Sequence, residues 1–376
     1  MRVSCLQENL AKGLSIVGRA VASRSTLPVL SNVLLATDNA RLKLSATNFE
    51  LGINCWVGAK VEQDGATTVP ARLLMDLVNS LPPERIDMEL QTRTQSLSLK
   101  CGRFEASIKG IDAQEFPIVS ASDEDHAIAI DPQTLRDMIN QVSFAAATDE
   151  SRPVLTGVLA EIGPSTLTLA AADGFRLSVR SVELPARVDM EAKVIIPARA
   201  LQELARISAE EKEPIRLIVS PTRSQAFFRL SNIDLITQLV DGIFPDYRSI
   251  IPRTHSTRTV LNTAEFQKAV RLAALFARDN NNIVRVRVEP AGDLAPGKVI
   301  ASATSSELGS NVGELEATIE GQPIEIAFNA RYLSEALNVI DSAQVALETN
   351  TPLSPGVITP VGGESFMHVI MPMHSK

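Results

Sequence analysis

One short string occurs three times in this chain. It reads Val194-Ile195-Ile196-Pro197-Ala198-Arg199-Ala200-Leu201-Gln202-Glu203-Leu204 in the middle. Earlier it reads Thr67-Thr68-Val69-Pro70-Ala71-Arg72-Leu73-Leu74-Met75-Asp76-Leu77, and later Glu325-Ile326-Ala327-Phe328-Asn329-Ala330-Arg331-Tyr332-Leu333-Ser334-Glu335-Ala336-Leu337. Each copy is a short apolar strand running into an amphipathic helix. Pro70 and Pro197 stand at the helix start, where a missing N–H costs nothing. The arginines at 72, 199 and 331 are 127 and 132 residues apart, and the leucines at 51, 177 and 308 repeat the step at 126 and 131. A step of that size is a whole domain, not a solenoid repeat. The 376 residues therefore divide as 1–122, 123–252 and 253–376, three copies of one domain.

Within a domain the expected order is helix, three strands, helix, three strands, a smaller unit used twice. The first helix is placed at Gln7 to Val21, with Leu10, Leu14, Val17 and Val21 as its buried stripe. The second runs from about Ala71 to Leu81 and stops at Pro82-Pro83. In the second domain Asp131-Pro132 caps a helix whose stripe is Leu135, Met138, Ile139, Val142 and Ala146. In the third, Asn262-Thr263-Ala264-Glu265 opens a helix running to about Arg278. Ser120 to Asp125 reads as a linker. The fold class is α+β, two helices per domain against antiparallel sheets.

Composition is that of a soluble globular protein, 45% hydrophobic and 21% charged. A net charge of −8 argues against a uniformly basic nucleic-acid binder but leaves room for a segregated basic surface. Cys5, Cys55 and Cys101 show no metal spacing and no disulfide framework, which fits a reducing cytoplasm. The first residues lack the apolar core of a signal peptide, and no apolar run approaches a membrane span, so no membrane partner is expected.

No catalytic, metal or cofactor signature stands out: no phosphate-cradling loop, no Cys-x-x-Cys, no Gly-x-Ser-x-Gly, no paired-His helix. His126, His255, His368 and His374 read as surface or packing residues, and Asp173 as a turn residue beside Gly174. The helices say more. Arg72, Arg199 and Arg331 oppose the apolar stripes of their helices, and Arg206 returns to the side of Arg199. Asp76, Glu203 and Glu335, each four residues after an arginine, are placed for i,i+4 pairs. Lys268, Arg271 and Arg278 share a face without an acid. Leu272, Leu275 and Phe276 form an apolar patch suited to a protein interface. Such charge segregation suits a row of phosphates, read without sequence preference.

The chain resembles the bacterial beta sliding clamps, the beta subunits of DNA polymerase III, over its whole length. The resemblance rests on Arg24-Ser25-Thr26-Leu27-Pro28-Val29-Leu30, Gly65 to Arg72, Ala172-Asp173-Gly174-Phe175-Arg176-Leu177, Val240 to Tyr247 and Val369-Ile370-Met371-Pro372-Met373. It implies a head-to-tail homodimeric ring around duplex DNA, helices inside and sheets outside, with no catalysis and no cofactor. It turns Lys12, Arg19, Arg72, Arg199, Arg206, Lys268, Arg271, Arg278 and Arg331 toward DNA, with Arg24 and Arg152 as loop contacts. It implies a peptide pocket of Leu155, Ala172, Gly174, Phe175, Arg176, Leu177, Pro245, Ser249, Ile250, Pro355, Val369, Ile370, Met371, Pro372 and Met373. Its users would be the DNA polymerase III alpha subunit, the clamp loader, other polymerases and repair proteins. Ala172 and Phe175 replace the Thr and the His or Tyr often found in the family. The implied dimer contact joins Phe104, Ala106 and Ile108 to Leu272, Leu275 and Phe276. A specialised paralogue, a monomeric peptide-binding adaptor and an enzyme with an unrecognised site stand as alternatives.

Overall fold

The computed structural model describes residues 1–22, 26–117, 127–188, 191–278, 281–292, 296–363 and 365–373. The expected linker at Ser120–Asp125 lies outside them, as do Arg24, His126 and His374. Six α-helices are present among the described residues: α1 Gln7–Val17, α2 Ala71–Ser80, α3 Pro132–Val142, α4 Ala198–Ile207, α5 Thr263–Ala277 and α6 Ala330–Leu337. None is long and apolar enough to cross a membrane.

The repeating unit differs from the expected one by a strand. A strand leads into the first helix of each domain as well as the second: Arg2–Leu6 before α1, Ile128–Ile130 before α3, Thr257–Asn262 before α5. The unit is therefore strand, helix, three strands, used six times. Two accessory strands, Lys60–Gln63 and Thr318–Gly321, are added. α1 also ends earlier than expected, at Val17, and Gly18–Ala20 continues as a 3-10 turn.

Helix starts follow their capping chemistry. Asn262 accepts from the Glu265 amide at 3.1 Å, and Asp131 from the Thr134 amide at 2.8 Å. Asn329 takes the amides of Arg331 and Tyr332. Each bond satisfies a donor that the first helical turn leaves orphaned.

The chain forms two compact units, residues 1–136 with 203–239, and 137–202 with 240–376. Both hold one long and one short antiparallel sheet. In the first unit the eight-stranded sheet contains Leu51–Val57 beside Ile233–Gln238, paired from Ile233–Cys55 to Thr237–Leu51. In the second the nine-stranded sheet contains Arg176–Glu183 beside Phe366–Ile370, paired from Arg176–Ile370 to Arg180–Phe366. In each case strands about 190 residues apart join two repeats edge to edge. The short sheets end in edges with no partner among the described residues: Phe104–Lys109 in the first unit, Gly309–Glu316 in the second.

The core of the second unit is built from apolar stripes at helical spacing. Phe266, Val270, Ala273 and Ala277 of α5 and Leu333, Ala336 and Leu337 of α6 are buried together around Phe328 and Phe366. Phe328 is fully buried, and a Cβ on Gly356 would lie 2.6 Å from its Cζ, so the strand backbone rests directly against the tip of the ring. Removing that ring leaves a cavity that a sheet cannot collapse into. Phe328→Ala is expected to lower the unfolding free energy by about 3–5 kcal/mol, read from urea melts.

Candidate functional site

The first candidate site lies in the second unit, at the turn between Thr166–Ala172 and Arg176–Glu183. Asp173 builds this turn. Its Oδ1 accepts the amides of Phe175 at 2.9 Å and Arg176 at 3.1 Å, and its Oδ2 accepts Arg176 Nε at 3.0 Å. Gly174 takes φ +96°, which favours glycine, and the turn leaves Phe175 57% exposed. Asp173 is thus a structural turn residue. The Met371 amide donates to the Phe175 carbonyl at 2.9 Å, and the Met373 amide to that of Ala327 at 2.8 Å, so the tail Met371-Pro372-Met373 is stitched beside the turn.

A buried apolar floor lies beneath. Ala172, Leu177, Phe244, Tyr247, Val357 and Val369 pack together, with Leu155 partly buried against them. The loop ahead of Phe244 is pressed onto this floor: Gly242 has φ +130°, and a Cβ there would meet Val154 at 2.6 Å. Phe175, Ile250 and Met371 stand exposed at the rim, as do Gly174, Pro245 and Ser249. Pro355, Pro372 and Met373 are half-buried. Ala172, Arg176, Leu177, Val369 and Ile370 are buried and support the surface from below. The expected pocket residues therefore sort into a rim that a partner can touch and a floor that shapes it. An accessible apolar surface with Met and Phe at its edge adapts to several ligands.

Two clusters hold the rim. The turn Tyr247–Ile250, which carries Ser249 and Ile250, is anchored on Glu161. That carboxylate accepts Tyr247 Oη at 2.8 Å, Lys193 Nζ at 2.9 Å and Arg248 Nη1 at 3.1 Å. The other cluster surrounds Arg176. Its Nη2 donates to the Phe144 carbonyl at 2.7 Å, its Nη1 to Glu335, and its guanidinium lies 4.3 Å from the Tyr332 ring centroid. Tyr332 and Glu335 are absent from the expected pocket. Their signal was their place in the third copy of the repeated string. Underneath, fully buried His368 bonds Ser178 through Nδ1 at 2.7 Å and stacks on Phe144. Burial, helped by the Arg176 charge, pushes its pKa down to about 3. Beside Met373 lies a small cavity of about 130 Å³ lined by Arg285, Glu325, Ala327, Pro352 and Leu353.

Arg152, expected as a loop contact to DNA, lies beside the turn at Gly174. Its Nη1 is 3.0 Å from where a Cβ on Gly174 would sit, which puts it on the pocket rim. The 3-10 turn Pro153–Thr156 that follows it packs onto the strand Gly157–Ile162, and this directs the preceding residue there.

The second candidate site is the set of basic helix faces. Arg72, Arg199, Lys268, Arg271, Arg278 and Arg331 are exposed, opposite buried stripes. In the first unit Lys12, Arg19 and Arg206 line a groove of about 850 Å³ with Asn9, Trp56 and Glu210. The expected i,i+4 pairs form only once, between Arg331 Nε and Glu335 at 2.8 Å. Glu203 instead turns to Arg19 at 2.8 Å and to Arg206, three residues on, at 2.7 Å. A tertiary cation close by displaces the helical partner. Lys12 pairs with Glu210. Arg72 and Arg199 form no ion pair among the described residues.

The expected dimer patch divides. Phe104 is 60% exposed, and Leu272 and Leu275 are 45% and 49% exposed. Ile108 is buried: it sits opposite Leu97 and points with it into the protomer's own core, so it is not free to meet a partner. Phe276 packs partly against the α5–α6 core.

Six repeated strand–helix–strand units, joined edge to edge and carrying cations on the helix faces turned from the core, define a clamp fold. Family models agree along the whole chain. The DNA polymerase III beta subunit N-terminal domain matches residues 1–120, the central domain 129–246 and the C-terminal domain 248–374. The chain belongs to the family of DNA polymerase III beta subunits, the bacterial beta sliding clamps. It is 33% identical to the beta sliding clamp of Synechococcus elongatus over 379 residues and 29% identical to that of Bacillus subtilis over 385, covering 100% of each chain in both comparisons. The crystal structure of the Bacillus subtilis DNA polymerase sliding clamp superposes with a TM-score of 0.94 at 28% identity, again over 100% of both chains.

Glu161 offers a test of the rim. Burial opposes its ionisation, but hydrogen bonds from Arg248, Lys193 and Tyr247 outweigh this and hold its pKa at about 2, against 4.5 ordinarily. A folded-state value below the unfolded one supplies stability that is present above pH 4.5 and lost as pH falls toward 2. Thermal midpoints taken between those limits are expected to fall more steeply for the wild type than for Glu161→Gln.

Proposed function

We propose that this protein is a sliding clamp: a ring closed by two copies joined head to tail, which encircles duplex DNA without sequence preference and has no catalytic activity of its own. Its peptide pocket tethers the DNA polymerase III alpha subunit, the clamp loader, and other polymerases and repair proteins that carry a clamp-binding peptide. The cytoplasm is the compartment this reading assigns.

The pattern of sheet edges carries the proposal. In the first unit the last strand of one repeat, Leu51–Val57, is paired with the last strand of another, Ile233–Gln238. In the second unit Arg176–Glu183 and Phe366–Ile370 repeat that arrangement. Of the six repeats, two last strands are left: Phe104–Lys109 and Gly309–Glu316, both sheet edges. Pairing them between two copies completes the series. The apolar side chains that this contact would cover lie at those edges. Phe104 is in one; Leu308, 58% exposed, directly precedes the other, and Val312, 67% exposed, is in it. Leu272 and Leu275 are on α5, which packs on Gly309–Glu316. Unpaired edges with exposed apolar residues are a liability unless a partner covers them. This disfavours the monomeric adaptor.

The exposed cations fit the phosphate backbone, and the carboxylate partners of Lys12, Arg19, Arg206 and Arg331 keep those four contacts weak enough to exchange during movement along DNA. The test is retention on DNA of defined topology. Loaded by a clamp loader onto nicked circular plasmid, the protein is expected to stay bound through gel filtration and to leave when the circle is cut. Leu275→Glu is expected to convert the dimer, twice the 40.5 kDa chain mass, to monomer and to abolish retention. Equal loss from circle and line by the wild type would sink the ring.

A further inference from the structure

Glu335 belongs to two sites at once. It sits on α6, one turn after Arg331, whose side chain is 71% exposed. Its Oε1 accepts Arg331 Nε at 2.8 Å, while its Oε2 accepts Arg176 Nη1. Arg176 is a different kind of partner. Its side chain is 5% exposed, and its remaining donors go to Asp173 and the Phe144 carbonyl. Asp173 in turn shapes the turn that presents Phe175, and the Phe175 carbonyl holds the Met371 amide. An unbroken chain of charged hydrogen bonds thus runs from the outward face of α6 to the rim of the peptide pocket, through Arg331, Glu335, Arg176 and Asp173.

We propose that Glu335 is a positioning residue shared by the two surfaces, so that phosphate bound at Arg331 tightens peptide binding at the Phe175–Met371 rim. The inference rests on the proposed function for what occupies each surface. A phosphate that takes Arg331 removes one of the two cations competing for the carboxylate. Glu335 is then left to Arg176 alone. Arg176 is held harder against Asp173 and Tyr332, and the turn it supports is more firmly ordered before the peptide arrives. A rim already ordered costs less to bind. Linkage makes the effect reciprocal, so bound peptide favours the DNA-engaged state of Arg331.

The test uses the full-length protein and a fluorescein-labelled linear peptide carrying adjacent leucine and phenylalanine side chains. Its dissociation constant is read by anisotropy for free protein and for protein loaded on nicked circular DNA. The wild type is expected to bind about two- to fivefold more tightly on DNA, the scale of a partly exposed ion pair. Arg331→Ala, at an exposed position, is expected to show the tighter value without DNA and no further gain on it. Glu335→Gln is expected to bind more weakly in both states and to lose the response. A purely structural role for Glu335 does not predict tighter binding by Arg331→Ala. Unchanged affinity of free Arg331→Ala, or a DNA response surviving in Glu335→Gln, overturns the coupling. So does wild-type protein that binds peptide equally in both states. Wild-type protein that binds no peptide in either state overturns the pocket itself, and the coupling with it.

Discussion

The fold depends on strands that find their partners across more than a whole domain's length of sequence. Thr237 lies opposite Leu51, and Val369 opposite Leu177. Each backbone amide in such a ladder has to be satisfied, and the helices have little say in the matter. Once these two junctions form, the position of every helix relative to its sheet follows from a short connection. The proposed pocket is a by-product of the second junction. Met371 leaves the ladder beside Phe175 because Ile370 is paired with Arg176.

Charge is handled in the same economical way. A chain with a net charge of −8 keeps several of its helical cations near carboxylates of its own, although Arg72 and Arg199 form no ion pair among the described residues. Glu203 serves Arg19 and Arg206, Glu335 serves Arg331 and Arg176, and Glu210 serves Lys12. Exposed pairs of this kind add little stability, since solvent screens them and side-chain entropy opposes them. Their effect is on what the cations can do next. A cation with a resident partner exchanges that partner for a phosphate at small net gain.

Much of the fold was legible because it repeats. Buried stripes such as Phe266, Val270, Ala273 and Ala277 carry the helical period openly, and the Asn and Asp caps mark where helices begin. The opening strands were not legible. Ile128–Ile130 is three residues long, and Arg2–Leu6 is fixed by pairing with Arg85–Gln91, far away in sequence. At the sites, spacing revealed neighbours along a helix and missed those across the fold. The Arg331–Glu335 pair was readable; the Arg176–Glu335 contact, 159 residues apart, was not. Arg152 read as a loop cation, but only the packing of the turn after it puts it beside Gly174. Ile108 alternates correctly for an edge strand, and alternation alone does not say which face meets the core.

The two free edges differ from each other, one from the first repeat pair and one from the last. A contact between unlike surfaces has no built-in limit on copy number. It closes only if the turn made by each chain brings the second copy's far edge back to the first. The same pair of edges on a slightly flatter or more twisted chain would add copy after copy and grow a filament. In the proposed dimer, the edge residues alone therefore do not fix the copy number. Substitutions far from either edge, at the Leu51 or Leu177 ladders, could then turn the proposed ring into a fibre.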